Sequence, residues 1–166
     1  MSVFSEPREH RWISERLKDS KEVIILTCPF CASLSLAYIN DIPVWRLSRH
    51  PTWTYGVLKE AEKLKERLEE EGRQVTVYGL SGAGTPFCTP GRLKRFLVRK
   101  RCRGADAVVV LSCAGGLAGV VRMLGRRCRV VHGMRSVGCG MFELRWNFPF
   151  EVVVKRDTAR VVRFNR

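Results

Sequence analysis

GADAVVVLSCAGGLAGVV, residues 104–121, changes its period in the middle. Residues 107–111 (AVVVL) are a continuous run of apolar, mostly β-branched side chains, the pattern of a strand buried on both faces. Cys113 follows two residues later. Gly115 and Gly116 then open a helix that the spacing carries to about Leu124. Strand, cysteine and helix in immediate succession make half of a βαβ unit, and such units build parallel sheets.

The same rhythm recurs on both sides of this stretch. Downstream, residues 129–131 predict a further strand. Upstream, residues 22–26 (EVIIL) read as a strand, and Thr27-Cys28-Pro29-Phe30-Cys31 leads into a helix over 32–38. Residues 74–78 (QVTVY) read as another strand, followed by a glycine-rich loop at 79–84 and by Pro86-Phe87-Cys88. A helix to about Lys100 then starts with Thr89 as its cap and Pro90 at its first position. The clearest helix is 55–71, with Val57, Leu58, Ala61, Leu64 and Leu68 on one stripe, Thr54 as cap and Gly72 as stop. Residues 6–19 predict an opening helix with Ser5 as cap, and 40–53 read as irregular around Pro43 and Pro51. Near the end, 150–155 and 160–164 flank a four-residue turn and predict a C-terminal β-hairpin. The expected fold is therefore α/β. A single domain over 1–166 has a mostly parallel, three-layer, Rossmann- or flavodoxin-like sheet of about four strands over 20–140, and the hairpin extension over 141–166.

A chain of 166 residues with 45% hydrophobic side chains can bury a real core. It has no apolar run of the ~20 residues that a membrane span needs. Residues 1–10 lack the apolar centre of a signal peptide, so a cytoplasmic location is expected. The net charge of +14 attracts anions. The basic run at 92–103 predicts an ordinary helix packed through Leu93, Phe96 and Leu97. It carries no nucleic-acid-reading signature, so nucleic acid is not the expected partner. The glycines at 79–84 do not match a dinucleotide or Walker loop.

Seven cysteines are many for a reduced compartment, and clustered thiols there point to metal or redox chemistry. Their positions relative to the strands sort them. Cys28 and Cys31 follow the first predicted strand, Cys88 the second and Cys113 the third. In a parallel sheet these ends share one edge, where open α/β folds build their sites. Each also lies near a helix start, whose positive potential favours thiolate, the metal-binding form. Cys139, in Gly138-Cys139-Gly140 beyond the fourth strand, is a fifth candidate ligand. Cys102 and Cys128 precede strands and belong to the opposite edge as small core residues, where a disulfide would need Cα atoms within ~7 Å. Four thiolates suit an iron–sulfur cluster or zinc. A thioredoxin-like pair at Cys28 and Cys31 would leave Cys88 and Cys113 without a role. His132 ends the fourth strand on the same edge, as a ligand or a supporting donor.

EVIILTCPFC (22–31), PFCTPGRLKRFL (86–97) and GADAVVVLSCAGGLAGVV (104–121) together resemble the C-terminal domain family of methylenetetrahydrofolate reductase. In acetogens and their relatives that family occurs as a small, cysteine-rich partner subunit. The resemblance covers roughly 20–125. It departs at Ser35, which stands near a further cysteine of the family, and in a longer segment over 38–53. The small iron–sulfur subunit of viologen-reducing hydrogenases is similar in architecture. Both resemblances imply a metal-bearing accessory subunit, preferably with an iron–sulfur cluster and otherwise with zinc. Such a subunit transfers electrons for a one-carbon oxidoreductase and is not catalytic alone. The implied partner is a flavin-containing reductase subunit. Trp45 and Trp53, among arginines, and the apolar hairpin are the expected docking anchors of that assembly. The alternative is a structural zinc domain that binds a protein or nucleic acid.

Overall fold

The computed structural model describes residues 1–46, 55–79, 86–89, 91–147 and 151–164. In chain order the elements are β1 (Ser2–Pro7), α1 (His10–Arg16), β2 (Glu22–Thr27), α2 (Cys31–Asn40) and β3 (Trp45–Arg46). Then come α3 (Tyr55–Glu70), β4 (Gln74–Gly79), α4 (Arg92–Arg101), β5 (Ala107–Leu111), α5 (Ala114–Leu124) and β6 (Arg129–His132). The chain closes with β7 (Met134–Met141), β8 (Leu144–Asn147), β9 (Glu151–Val154) and β10 (Arg160–Arg163).

The four strands expected from the apolar runs form a parallel sheet in the order β4-β2-β5-β6. Ile25 of β2 lies between Val77 of β4 and Val109 of β5, which fixes the register on both sides. Every residue of β5 is buried, as its unbroken apolar run requires. The chain steps from β2 outward to β4, then crosses back over β2 to β5. With right-handed crossovers this reversal puts α3 on one face and α4 and α5 on the other. Accordingly α3 packs on α2 and β4, and α4 packs on α5. Val57, Ala61, Leu64 and Leu68 of α3 are fully buried, the valine and the two leucines each contributing about 1.5–3 kcal/mol. Gly72 ends that helix region at φ +81°, a conformation that favours glycine.

Two small antiparallel sheets accompany the parallel one, in the orders β1-β7-β10 and β3-β9-β8. They correct several expectations. The opening helix is shorter than 6–19, because residues 2–7 are a strand paired with β7. Ser5 is therefore no cap. Its hydroxyl meets Ser136 Oγ at 3.3 Å, and Glu9 occupies the position before α1. The partner of β1 lies some 130 residues away in sequence, so local pattern favoured the cap-like Ser-Glu-Pro over the strand. At the other end, β9 and β10 flank the turn as read, but they do not pair with each other. β9 joins β8 and β3, while β10 joins β7. Gly91, not Thr89, precedes α4. The face of α4 is also rotated from the expected one: Lys94 and Val98 are buried, while Leu93 and Phe96 are 69% and 61% exposed. Thr54, Trp53, Pro90 and most of the loops at 40–53 and 79–84 lie outside the described residues. Among the described residues no helix is long and apolar enough to cross a membrane.

Candidate functional site

The strand order reverses at β2, so the connections that leave the carboxyl ends of β2 and β5 run in opposite directions along the sheet. Open α/β sheets bind ligands at such a point. Cys28 leaves β2 here, and its N–H donates to Leu111 O at 3.0 Å, tying the two strand ends together. Cys31 begins α2, and Cys113 is the residue before α5. Cys88 arrives on the short turn at 86–89. A Cβ placed on Gly115 would stand 3.5 Å from Cys88 Cβ and 3.9 Å from Cys113 Sγ, so this glycine sits between cysteines of two segments.

The four thiols interact electrically. Cys31 donates its S–H towards the Cys113 sulfur, which therefore lowers the Cys113 pKa to about 6 and raises that of Cys31. The N–H groups of Gly115 and Gly116, at the positive end of α5, hold the Cys113 thiolate further, although neither closes a full capping hydrogen bond. Cys28 is pushed up by burial. The N–H groups of Phe87 and Phe30 oppose that shift, and the Cys113 and Cys88 sulfurs add to it. The Val3 N–H faces Cys31. Cys28 and Cys113 are buried, Cys31 is half-buried and Cys88 is exposed, so the group opens to the surface on one side. All donors are soft sulfurs, the set that zinc and iron–sulfur clusters select. Among the described residues, no three His, Cys, Asp or Glu side chains already form a cage for a single metal ion.

Cys139 lies within β7, opposite Val162 on one side and, on the other, Val3, whose N–H faces Cys31. Cys102 and Cys128 sense each other at the opposite edge but are not bonded. Burial raises both, Cys102 to about 12, and keeps them as thiols. His132 donates from Nε2 to Ser112 O at 2.8 Å, and burial lowers its pKa. It thus braces the residue before Cys113 as a neutral imidazole. Ser35 is buried. Its hydroxyl donates to Cys31 O at 2.7 Å and accepts from the Ser5 N–H at 3.1 Å, which locks α2 to β1.

Two residues that shape the site escaped the sequence reading. Lys94 is 5% exposed, and its Nζ donates to Pro86 O and Thr89 O, both at 2.5 Å. It pins the turn carrying Cys88. Burial lowers its pKa, and the Cys88 and Cys28 sulfurs oppose that by stabilising its charge. Its signal was the i,i+4 spacing to Val98, hidden among five other cations of the same helix. Gly119 is the second. A Cβ there would stand 2.0 Å from Phe87 O, so only glycine lets that turn lie against α5.

Compared with protein-family models, with curated proteins and with solved structures, the chain shows no match.

Proposed function

We propose that this chain is a cysteine-ligated iron–sulfur subunit that carries electrons for a methylenetetrahydrofolate reductase-type one-carbon oxidoreductase. In this reading it does not make or break substrate bonds alone, and its reduced thiols suit the cytoplasm. The observation that supports it most is the meeting of Cys28, Cys31, Cys88 and Cys113 at the reversal point of the parallel sheet. The Rossmann- or flavodoxin-like layering belongs to the same reading. Bound at these sulfurs, an iron–sulfur cluster supplies one-electron transfer, tuned by N–H···S contacts, charge and exposure. The chain's own residues divide the remaining work. Cys28 and Cys113 hold the buried side, backbone N–H groups and Lys94 offset the thiolate charge, and Cys31 and Cys88 face the surface that a partner would cover. Cys139, within β7, is at most an additional ligand.

A cluster of several irons spreads its thiolates more widely than one zinc ion, whose tetrahedron at ~2.3 Å keeps sulfurs within about 3.8 Å of one another. The Cys31–Cys113 contact favours the second reading, a structural zinc domain that binds a protein or nucleic acid, because two sulfurs in hydrogen-bond reach match one edge of a zinc tetrahedron. The partner proposed for the first reading is a flavin-containing reductase subunit with an acidic docking surface. Trp45 stacks on the half-exposed Trp146 at 5.5 Å beside Arg46, which offers an aromatic and cationic anchor.

Anaerobic purification, metal and sulfide analysis and a visible spectrum test the reading. Iron with sulfide and a broad absorption that bleaches on reduction supports the cluster. Colourless protein with one zinc moves the second reading ahead, and metal-free anaerobic protein overturns both. Changing Cys28, Cys31, Cys88 or Cys113 to Ser is expected to lower metal content sharply, whereas Cys102→Ser or Cys128→Ser is expected to leave it unchanged.

A further inference from the structure

A cavity of about 860 Å³ lies away from the thiols, where α4 meets the segments leading into β5 and β6. Arg92, Arg95, Arg99, Lys100, Arg103 and Arg127 line it, and among the described residues no Asp or Glu does. Its floor is neutral, with Leu124 and the protonated thiols of Cys102 and Cys128. Phe96 stands in the row of cations and is 61% exposed. The rotation of α4 described above explains this arrangement. Burying Lys94 and Val98 turns Phe96 outward, and the loop residues Arg103 and Arg127 supply a second wall that a helical wheel cannot reveal.

We propose that this cleft binds single-stranded nucleic acid. The guanidinium forks match phosphate oxygens, and their cationic rows repel one another unless an anion lies between them. An acidic protein surface would satisfy the cations but would leave Phe96 without a use. A strand offers both phosphates and base faces, and charged grooves with aromatic platforms bind strands without reading sequence. The position also separates this site from the proposed electron path. The cleft is at the edge that Cys102 and Cys128 mark, whereas electrons must leave at the edge of Cys88 and Cys31.

The test is fluorescence anisotropy of the full chain with a labelled oligothymidylate of about twelve nucleotides. If the cleft neutralises about four phosphates, log K falls against log salt with a slope near −3, so each doubling of salt weakens binding about seven-fold. Phe96→Ala, a substitution at an exposed site, is expected to weaken binding about ten-fold. Arg95→Glu with Lys100→Glu is expected to abolish it. Arg145→Glu with Arg160→Glu, both exposed on β8 and β10, changes net charge equally and is expected to cost far less. Equal losses from the two double variants would overturn the proposal, because the binding would then be diffuse electrostatics. Polyglutamate binding as tightly as the oligonucleotide, with no effect of Phe96→Ala, would overturn it in favour of an acidic protein. No binding at low salt would overturn it outright.

Discussion

Gly119→Ala puts a single methyl group where the chain has no room for it. The new Cβ would stand 2.0 Å from Phe87 O, 2.9 Å from Phe87 C and 3.5 Å from Cys88 Cα. Carbon and oxygen normally approach no closer than about 3.3 Å, so the turn at 86–89 must retreat from α5 by roughly 1.3 Å. Phe87 is fully buried, and Lys94 pins the same turn from the other side, so the retreat strains both. Overpacking of this kind costs about 1–3 kcal/mol, and replacing a mid-helix glycine by alanine returns about 1 kcal/mol. The net loss of about 0–2 kcal/mol leaves the protein folded. The displacement of Cys88 from Cys113 and Gly115 remains. The expected result is thus a large fall in bound metal, or in its retention against a chelator, with only a small fall in the urea midpoint. Gly91→Ala is the control, since a Cβ there meets nothing within 4 Å. Wild-type metal retention in Gly119→Ala would refute the claim that close packing of this turn on α5 builds the site.

Lys94→Met keeps the buried stem but removes the donor to Pro86 O and Thr89 O. A loss of about 1–3 kcal/mol in urea unfolding is expected, together with faster alkylation of Cys88, and an unchanged rate would show that the turn holds itself. In metal-free protein the folded Cys113 has a pKa of about 6 against an ordinary 9.0, so between these values the folded chain binds fewer protons than the unfolded one. Its contribution to stability therefore rises with pH across that window and disappears as pH falls through about 6. Above 9.0 the raised Cys28 and Cys31 reverse the slope. Iodoacetamide labelling of Cys113 is expected to titrate near pH 6 and to shift upward in Cys31→Ala. A Cys113 titration that ignores Cys31 would contradict the shared-proton geometry.

The parallel sheet was legible because each of its strands is a short apolar run that needs no distant partner to be recognised. The gathering of four cysteines followed from one rule, that strand ends in a parallel sheet share an edge. Of the antiparallel strands, β9 and β10 were legible as short apolar runs, but β1, β3, β7 and β8 were not. Val137-Gly138-Cys139-Gly140 has the composition of a loop, yet it runs through the middle of β7. Its glycines are there for proximity: a Cβ on Gly138 would stand 2.2 Å from Val162 O of β10, and one on Gly140 would stand 2.5 Å from the Phe142 ring. Glycine chosen for close approach and glycine chosen for a turn look alike in sequence. This is why Cys139 read as an edge ligand although it lies mid-strand. The buried face of α4 was misread for a related reason, since a lysine that caps carbonyls looks like any other lysine on a basic helix.

The sheet that escaped the sequence reading also bears directly on the thiols. A helix start has several free N–H groups, and they compete for whatever acceptor is near. At α5 the Ala114 N–H is taken by Ser136 Oγ of β7 at 3.0 Å, and Ser136 is steadied in turn by Ser5 of β1. That leaves the Gly115 and Gly116 N–H groups directed at the Cys113 sulfur. At α2, Ser35 links Cys31 O to β1, and the Val3 N–H of the same strand faces the Cys31 sulfur. The parallel sheet thus brings the cysteines to one edge. The β1-β7 pair sets which N–H groups reach which sulfur, and through them which thiol gives up its proton first.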